Sequence, residues 1–389
     1  MLKSGVYTQL SPVLFGNGTL QQVGKKAKEL GMNKVLLVTD KKISEIGYAE
    51  KVANIIREED VQVVIWDGVE TDCPDYTVTA AAAIGREKAV DGIVGLGGGS
   101  TLDSAKAIAA VIPNGDEVLQ EIILYLTGQK NYAVKPVTML LIPTTSGTGS
   151  ESTFVSVISS ETMQCKIGLP CPPDYAIVDP ELTVGCPAFI TAFTGMDAFS
   201  HANEALTEGK NTPHSDLLAY EAIRLITKWL PIAVKDINNA EARENLALAS
   251  NFAGIAFNES GVHMGHSTAH ALGHMYHISH GICCALVTPA IIEFAAKTYP
   301  EKMKKIGEIM GVTFSSEEPE AIGKAVGNAV RKLCKEIQIP SFKEQGFTKE
   351  QILAAKPMIY KEPLCMSFGG TITEQDVVTT LETLYDGYQ

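Results

Sequence analysis

Three continuous apolar runs organise the first hundred residues: KVLLVTD (34–40), VQVVIWDG (61–68) and DGIVGLGGGS (91–100). Between them, AEKVANIIREED (49–60) and TVTAAAAIGREKAV (77–90) carry their apolar residues at helical spacing. Strand-like runs alternating with amphipathic helices are the pattern of βαβ units, and a fourth run, VTMLLIP (137–143), extends it. A strand that is apolar on both faces must be covered on both, so the pattern predicts a parallel, doubly wound α/β sheet with right-handed crossovers. Ligands of such a sheet are expected beyond the carboxyl ends of its strands.

The third run leads into GGGSTLDSAKAIAAVI (97–112), where glycines meet the start of a helix. Glycine permits a tight turn and close approach of phosphate to the backbone, and the unpaired N–H groups of a helix start favour an anion. Gly97, Gly98, Gly99 and Ser100 are therefore a pyrophosphate candidate, although GxGxxG is absent and a strand–helix turn without ligand satisfies the same residues. LLIPTTSGTGSE (140–151) follows the fourth run and offers Thr144, Thr145 and Thr148 as hydroxyl partners for phosphate or ribose, or as caps of a loop. Asp40 ends the first run. An acid there binds ribose hydroxyls and repels a 2′-phosphate, which favours NAD over NADP; equally, it can cap the helix that TDKKISEIG begins.

From about Cys186 helical periodicity takes over, in SDLLAYEAIRLITKWL (215–230), EARENLALASNFAGIAF (241–257) and EAIGKAVGNAVRKLCKEI (320–337). The proline-rich GLPCPPDYAIVDPELTVGCP (168–187) marks the boundary between an α/β domain, 1–185, and an all-α domain, 186–389. A chain of 389 residues suits two cores, since single cores stop growing near about 250–300 residues. Its net charge of −13, with no dense basic stripe, argues against a nucleic-acid partner. No run reaches the roughly 18 apolar residues of a membrane span, and MLKSGVYTQLSP lacks the apolar centre of a signal peptide, so a cytoplasmic protein is expected. The eight cysteines form no CxxC pair and are expected as reduced thiols, with Cys283 and Cys284, close after His280, a candidate oxidation liability.

Six of the eight histidines fall within residues 263–280. TGMDAFSHANEAL (194–206) sets Asp197 and His201 four apart, on one helical face, and His266, His270 and His274 repeat that spacing. His280 precedes Gly281, where a turn of the chain is expected. Imidazoles and one carboxylate make a mixed N/O site suited to a divalent first-row metal. A histidine pair at this spacing is often only structural; the clustering and the separate Asp/His pair favour a metal.

FGNG (15–18), GGGSTLDSAKAIA, PTTSGTGSE, AIVDPELT, TGMDAFSHANEA and HSTAHALGHMYHISHG follow one another in the order and approximate spacing of the iron-containing, metal-dependent alcohol dehydrogenases, and the chain resembles that family over most of its length. The resemblance implies a Rossmann-like domain joined to a helical domain, in a dehydroquinate synthase-like architecture. It implies Asp197, His201, His266 and His280 as metal ligands, with His270 beside substrate and cofactor, where an imidazole can relay the alcohol proton. His263, His274 and His277 carry no ligand role. NAD(P) contacts are implied at Asp40, residues 97–100, Asp103, Thr144, Thr145, Thr148 and Lys166.

The implied reaction is reversible hydride transfer between a small primary alcohol or diol, or its aldehyde, and nicotinamide, with the metal polarising the substrate oxygen. Fe²⁺ is the expected ion, since it expands readily beyond four ligands, with Zn²⁺ as the alternative and a homo-oligomer, dimer or larger, as the assembly. Two stretches depart from the family: ETDCPD (70–75) stands where many relatives have Asn-Pro, and SFGGTITEQD (367–376) replaces an Asn-Pro-Arg stretch. The rival readings are a dehydroquinate synthase-like enzyme, for which residues 197–280 offer few basic groups, a maleylacetate reductase, which needs no metal, and a non-catalytic metal-binding module.

Overall fold

The computed structural model of the chain describes residues 7, 9–161, 163 and 165–388. The described residues divide into two compact units, one within 9–145 and 149–183, the other comprising Tyr7, 146–148 and 184–388.

The first unit is built on strands β1 (Val13–Phe15), β2 (Lys34–Val38), β3 (Gln62–Trp66), β4 (Gly92–Gly97), β5 (Thr138–Pro143), β6 (Val155–Ser160), β7 (Cys165–Pro170) and β8 (Tyr175–Val178). Six of them form one parallel sheet in the order β1-β8-β5-β4-β2-β3. Register follows the apolar runs: Val35, Leu36 and Leu37 face Val63, Val64 and Ile65 on one side and Gly92, Ile93 and Val94 on the other. β2 is buried on both faces from Val35 onward, as a parallel strand covered by helices must be. Helix Gly99–Asn114 packs against β4 and β5, and every residue from Thr101 to Val111 except Asp103 is buried.

Four strands lie outside the runs read from the sequence. β1 is only three residues long. β8 lies inside the proline-rich stretch that marked the boundary, and it pairs with β5 and β1 within the sheet. The two prolines before it, Pro172 and Pro173, precede the strand and leave its ladder intact. β6 and β7 form an antiparallel hairpin of their own, β6 alternating half-buried and buried residues.

The second unit is helical among its described residues. Its longer helices are Ala188–Thr207, Pro213–Lys235, Ala240–Ser260, Met264–Tyr276, His280–Ala296, Pro319–Glu336 and Glu374–Gly387. Helix His280–Ala296 is apolar around its whole circumference, and such a helix must be surrounded. It accordingly packs against helices Ala188–Thr207, Met264–Tyr276, Pro319–Glu336 and Glu374–Gly387. Gly281 allows its first turn to approach closely: a Cβ there would lie 2.5 Å from the Phe193 carbonyl oxygen. The SFGG segment is docked by Phe368, whose ring meets His263, Phe294 and Tyr299 at centroid distances of 5.2, 4.9 and 5.6 Å. Among the described residues no helix is long and apolar enough to cross a membrane.

Candidate functional site

In the sheet unit, β2 has β3 on one side and β4 on the other, so the strand order reverses between β2 and β4. The carboxyl ends of these two strands flank a switch point, where doubly wound sheets bind ligands. Asp40 follows β2, Gly97 to Ser100 close β4 and open the next helix, and Thr144 and Thr145 follow the adjacent β5. The Thr144 amide donates to the Gly97 carbonyl at 2.9 Å. A Cβ on Gly98 would stand 3.4 Å from Thr145 Oγ1. The N-cap of helix Gly99–Asn114 is Gly98, which has no side chain to cap it, and this leaves its first N–H groups for an anion.

Asp40 also takes the capping role. Its Oδ1 accepts from the Ile43 amide at 3.0 Å at the start of helix Lys41–Glu45, while Oδ2 accepts from Thr101 Oγ1 at 3.4 Å. Lys166, on β7, reaches the glycine turn through one intermediary: its Nζ pairs with Asp72 at 2.6 Å, and the Asp72 amide donates to Ser100 Oγ at 3.1 Å. This is the ETDCPD stretch, which places Asp72 and Cys73 at positive φ, 67° and 50°. Each such residue costs on the order of 1 kcal/mol. The ties from Lys166 and Ser100, and from Ser159 Oγ to the Asp72 carbonyl at 2.8 Å, hold the stretch in place.

Asp103 lies on the first turns of helix Gly99–Asn114. Its carboxylate accepts from Ser150 Oγ at 2.6 Å and from the Val157 amide at 3.2 Å, and burial raises its pKa. Lys106, fully buried one turn later, donates to Thr153 Oγ1 at 2.9 Å and the Val155 carbonyl at 2.8 Å; burial lowers its pKa to about 8. The two side chains stitch the segment after β5 to the helix. Residues 146–148, Thr148 among them, group with the helical unit.

In that unit, helix Ala188–Thr207 presents Asp197, His201 and Glu204 at positions i, i+4 and i+7, one face of the helix. Helix Met264–Tyr276 presents His266 and His270, and His280 opens the next helix, where a turn was expected. Asp197 Oδ1 lies 3.5 Å from His280 Nε2, 3.9 Å from His266 Nε2 and 4.0 Å from His201 Nε2. Asp197, His266, His280 and Cys284 form a group whose donor atoms all lie within 4.8 Å of one another. His201, at its margin, is held between the rings of Phe257 and His266, at 4.1 and 4.5 Å, and burial, then neighbouring His266, push its pKa well down. His270 stacks on His280 at 5.4 Å and gives its Nδ1 to Glu362 Oε1 at 2.8 Å. His274 and His277 are exposed, and His263 is fully buried with its Nε2 bonded to Thr207 Oγ1 at 2.8 Å.

Glu204 was not among the expected site residues, and it organises the cluster from behind. It is 1% exposed, and it accepts from the amides of His263 at 2.6 Å and Gly265 at 3.2 Å and from His266 Nδ1 at 2.7 Å. A Cβ on Gly265 would collide with the Glu204 carboxylate, so glycine is needed for this approach. Burial alone would raise the Glu204 pKa, but the imidazoles of His263 and His266 outweigh it and hold the group at about 2. Burial would lower the pKa of His266, but the Glu204 carboxylate, with Asp197 and Glu362 behind it, outweighs burial and raises it.

The residues present fit a bound cation. His266 Nε2 has no hydrogen-bond partner among the described residues although its ring is 3% exposed, and an unsatisfied buried nitrogen costs about 1–3 kcal/mol. A ligating histidine that gives its other nitrogen to a carboxylate is the usual support of a metal site. Carboxylate oxygen and imidazole nitrogen together suit a first-row divalent ion.

Comparison with known proteins agrees with this chemistry. Residues 11–180 match the family described as iron-containing alcohol dehydrogenase, and residues 191–385 match the C-terminal domain of the Fe-containing alcohol dehydrogenase family. The chain is 34% identical to an NAD-dependent methanol dehydrogenase of Bacillus methanolicus, over 95% of this chain and 97% of the relative. It is 35% identical to a 1,3-propanediol dehydrogenase of Klebsiella pneumoniae, over 84% of each. A solved structure of a 1,3-propanediol oxidoreductase superposes with a TM-score of 0.91 at 30% identity, covering 98% of this chain and all of that one. With both halves matched in order, and with Asp197, His266 and His280 brought together, the chain belongs to the iron-containing alcohol dehydrogenase family.

Proposed function

We propose that this protein interconverts a small primary alcohol or diol and its aldehyde with NAD, using Fe²⁺ held by Asp197, His201, His266 and His280. The domain at 1–185 serves the dinucleotide and that at 186–389 the metal and substrate. The observation that carries this reading is the convergence of Asp197, His266 and His280 on one buried point, with Glu204 behind His266. The metal, when bound, supplies Lewis acidity toward the alcohol oxygen, and the nicotinamide accepts the hydride. The chain's own residues orient and exchange protons. Glu204 fixes the tautomer of His266 so that Nε2 faces Asp197, and Glu362 fixes that of His270. His270, its side chain 18% exposed, takes the hydroxyl proton at Nε2 and passes it to solvent. In the other half, the helix start at Gly98 and Gly99 receives the pyrophosphate, with Thr144 and Thr145 beside it.

NAD is the preferred cofactor in this reading, because Asp40 stands at the end of β2 where a 2′-phosphate would meet its charge. Asp40→Gly is expected to narrow the ratio of kcat/KM between NAD and NADP, and to cost about 0.5–2 kcal/mol of stability through the lost helix cap. Kinetics with both cofactors, with urea unfolding alongside, checks it; an unchanged ratio removes Asp40 from the ribose.

The test of the reaction is an anaerobic panel of short alcohols and aldehydes with NAD⁺ and NADH, run with elemental analysis of the same preparation. Turnover in proportion to bound iron is the expected result. Chelation is expected to abolish it and Fe²⁺ to restore it; recovery with Zn²⁺ alone counts against iron. The same reading has the chain working as a homo-oligomer in the cytoplasm, which light scattering and fractionation check.

A further inference from the structure

Cys284 stands one helical turn after His280, so the two side chains leave helix His280–Ala296 on the same face. Its sulfur is 3.4 Å from His280 Nε2, and His280 Nε2 is 3.5 Å from Asp197 Oδ1. Donors that share one cation through bonds of about 2.0–2.3 Å lie roughly 3.3–3.8 Å apart in a tetrahedral shell, which both distances match. The sulfur belongs to the group of four donors lying mutually within 4.8 Å, together with Asp197, His266 and His280. A second observation points to an ion at the same place: His266 Nε2, fully enclosed and without a hydrogen-bond partner among the described residues, lies 3.9 Å from Asp197 Oδ1. Packing alone explains a buried cysteine among apolar side chains. Here the sulfur instead makes a hydrogen-bonding contact with His280 Nε2 and stands among the donor atoms of a carboxylate and two imidazoles, the positions a ligand takes up when its proton is replaced by a metal.

We propose that Cys284 is a sulfur ligand of the metal, giving this chain an oxygen, nitrogen and sulfur shell in place of one made of carboxylate and imidazoles alone. The inference rests on the metal-binding reading above. On binding, an S–H bond is exchanged for a sulfur–metal bond and the proton passes to water, with no change in oxidation state. A sulfur donor turns the site away from Mg²⁺ and Mn²⁺ and toward Fe²⁺, Co²⁺ and Zn²⁺.

The experiment is anaerobic reconstitution of metal-free protein with one equivalent of Co²⁺, followed by absorption spectroscopy. Visible ligand-field bands report that cobalt is bound. A near-ultraviolet sulfur-to-cobalt charge-transfer band reports a cysteine ligand. The wild-type protein is expected to show both. Cys284→Ala and the nearly isosteric Cys284→Ser are expected to lose the charge-transfer band and keep the ligand-field bands, while Cys283→Ala keeps both. Ligand-field bands without charge transfer in the wild type, or an unchanged charge-transfer band in Cys284→Ala, overturn the proposal and leave the metal site standing. A wild-type protein that takes up no cobalt overturns the metal site and the sulfur ligand together.

Discussion

Replacing His280 by alanine is expected to strip the metal from the protein and lower kcat by on the order of 10³-fold, with NAD affinity unchanged. The separation follows from where the residues lie: His280 faces Asp197 in the helical unit, whereas the glycine turn and its threonine neighbours lie in the sheet unit. Loss of one of a few ligands weakens both retention of the ion and its Lewis acidity, and about 4 kcal/mol of lost transition-state stabilisation corresponds to three powers of ten in rate. His266→Ala is expected to behave the same way with an additional loss of stability, because it leaves the buried Glu204 carboxylate without its imidazole partner. Elemental analysis, kcat and NADH fluorescence titration of each variant form the measurement. A fully active, metal-replete His280→Ala protein would refute the ligand assignment.

Glu204→Ala is expected to destabilise the metal-free protein by about 3–5 kcal/mol and to weaken metal binding by roughly 10–100-fold. The carboxylate is the acceptor for two backbone amides and one imidazole, all buried, and alanine leaves the three donors without a partner. Glu204→Gln retains one accepting oxygen and is expected to lose less. The pH dependence has a fixed sign. The carboxyl titrates near 4.5 when exposed and is held at about 2 in the fold, so its stabilisation is fully present above about 4.5 and is lost as pH falls toward about 2. Urea unfolding of metal-free protein across that window is expected to show the loss in the wild type and a flatter profile in Glu204→Gln. Equal slopes would mean that the buried network does not hold the charge.

The parts of this molecule that are legible in its sequence are those with a local signal. Long apolar runs announce β2 to β5, and four-residue spacing alone pairs Asp197 with His201 and His266 with His270 on shared helix faces. β8 is hidden because its four residues sit among prolines and read as a linker, although their ladder partners are 35 residues away in β5 and over a hundred and fifty away in β1. β6 alternates in a serine-rich stretch with little hydrophobic contrast, and β7, CKIGLP, shows no alternation at all. Glu204 is visible in principle, seven residues after Asp197 on one helix face, but a helical glutamate belongs to solvent unless something buried demands it. Glu362 gives no local signal, since it meets His270 across 92 residues of chain. Cys284 becomes meaningful only once the helix is known to begin at His280, because only then does four-residue spacing bring the sulfur beside the imidazole. Asp40 shows the opposite case: capping and ribose binding are both open readings of its sequence, and in the fold one oxygen caps the helix while the other faces Thr101.

The most direct test of the metal site is anomalous X-ray scattering, at the absorption edge of the bound metal, from crystals of the anaerobically loaded protein. One strong peak is expected within about 2.0–2.3 Å of donor atoms of Asp197, His201, His266 and His280. A peak at any other place, with these four side chains ligating nothing, would contradict it.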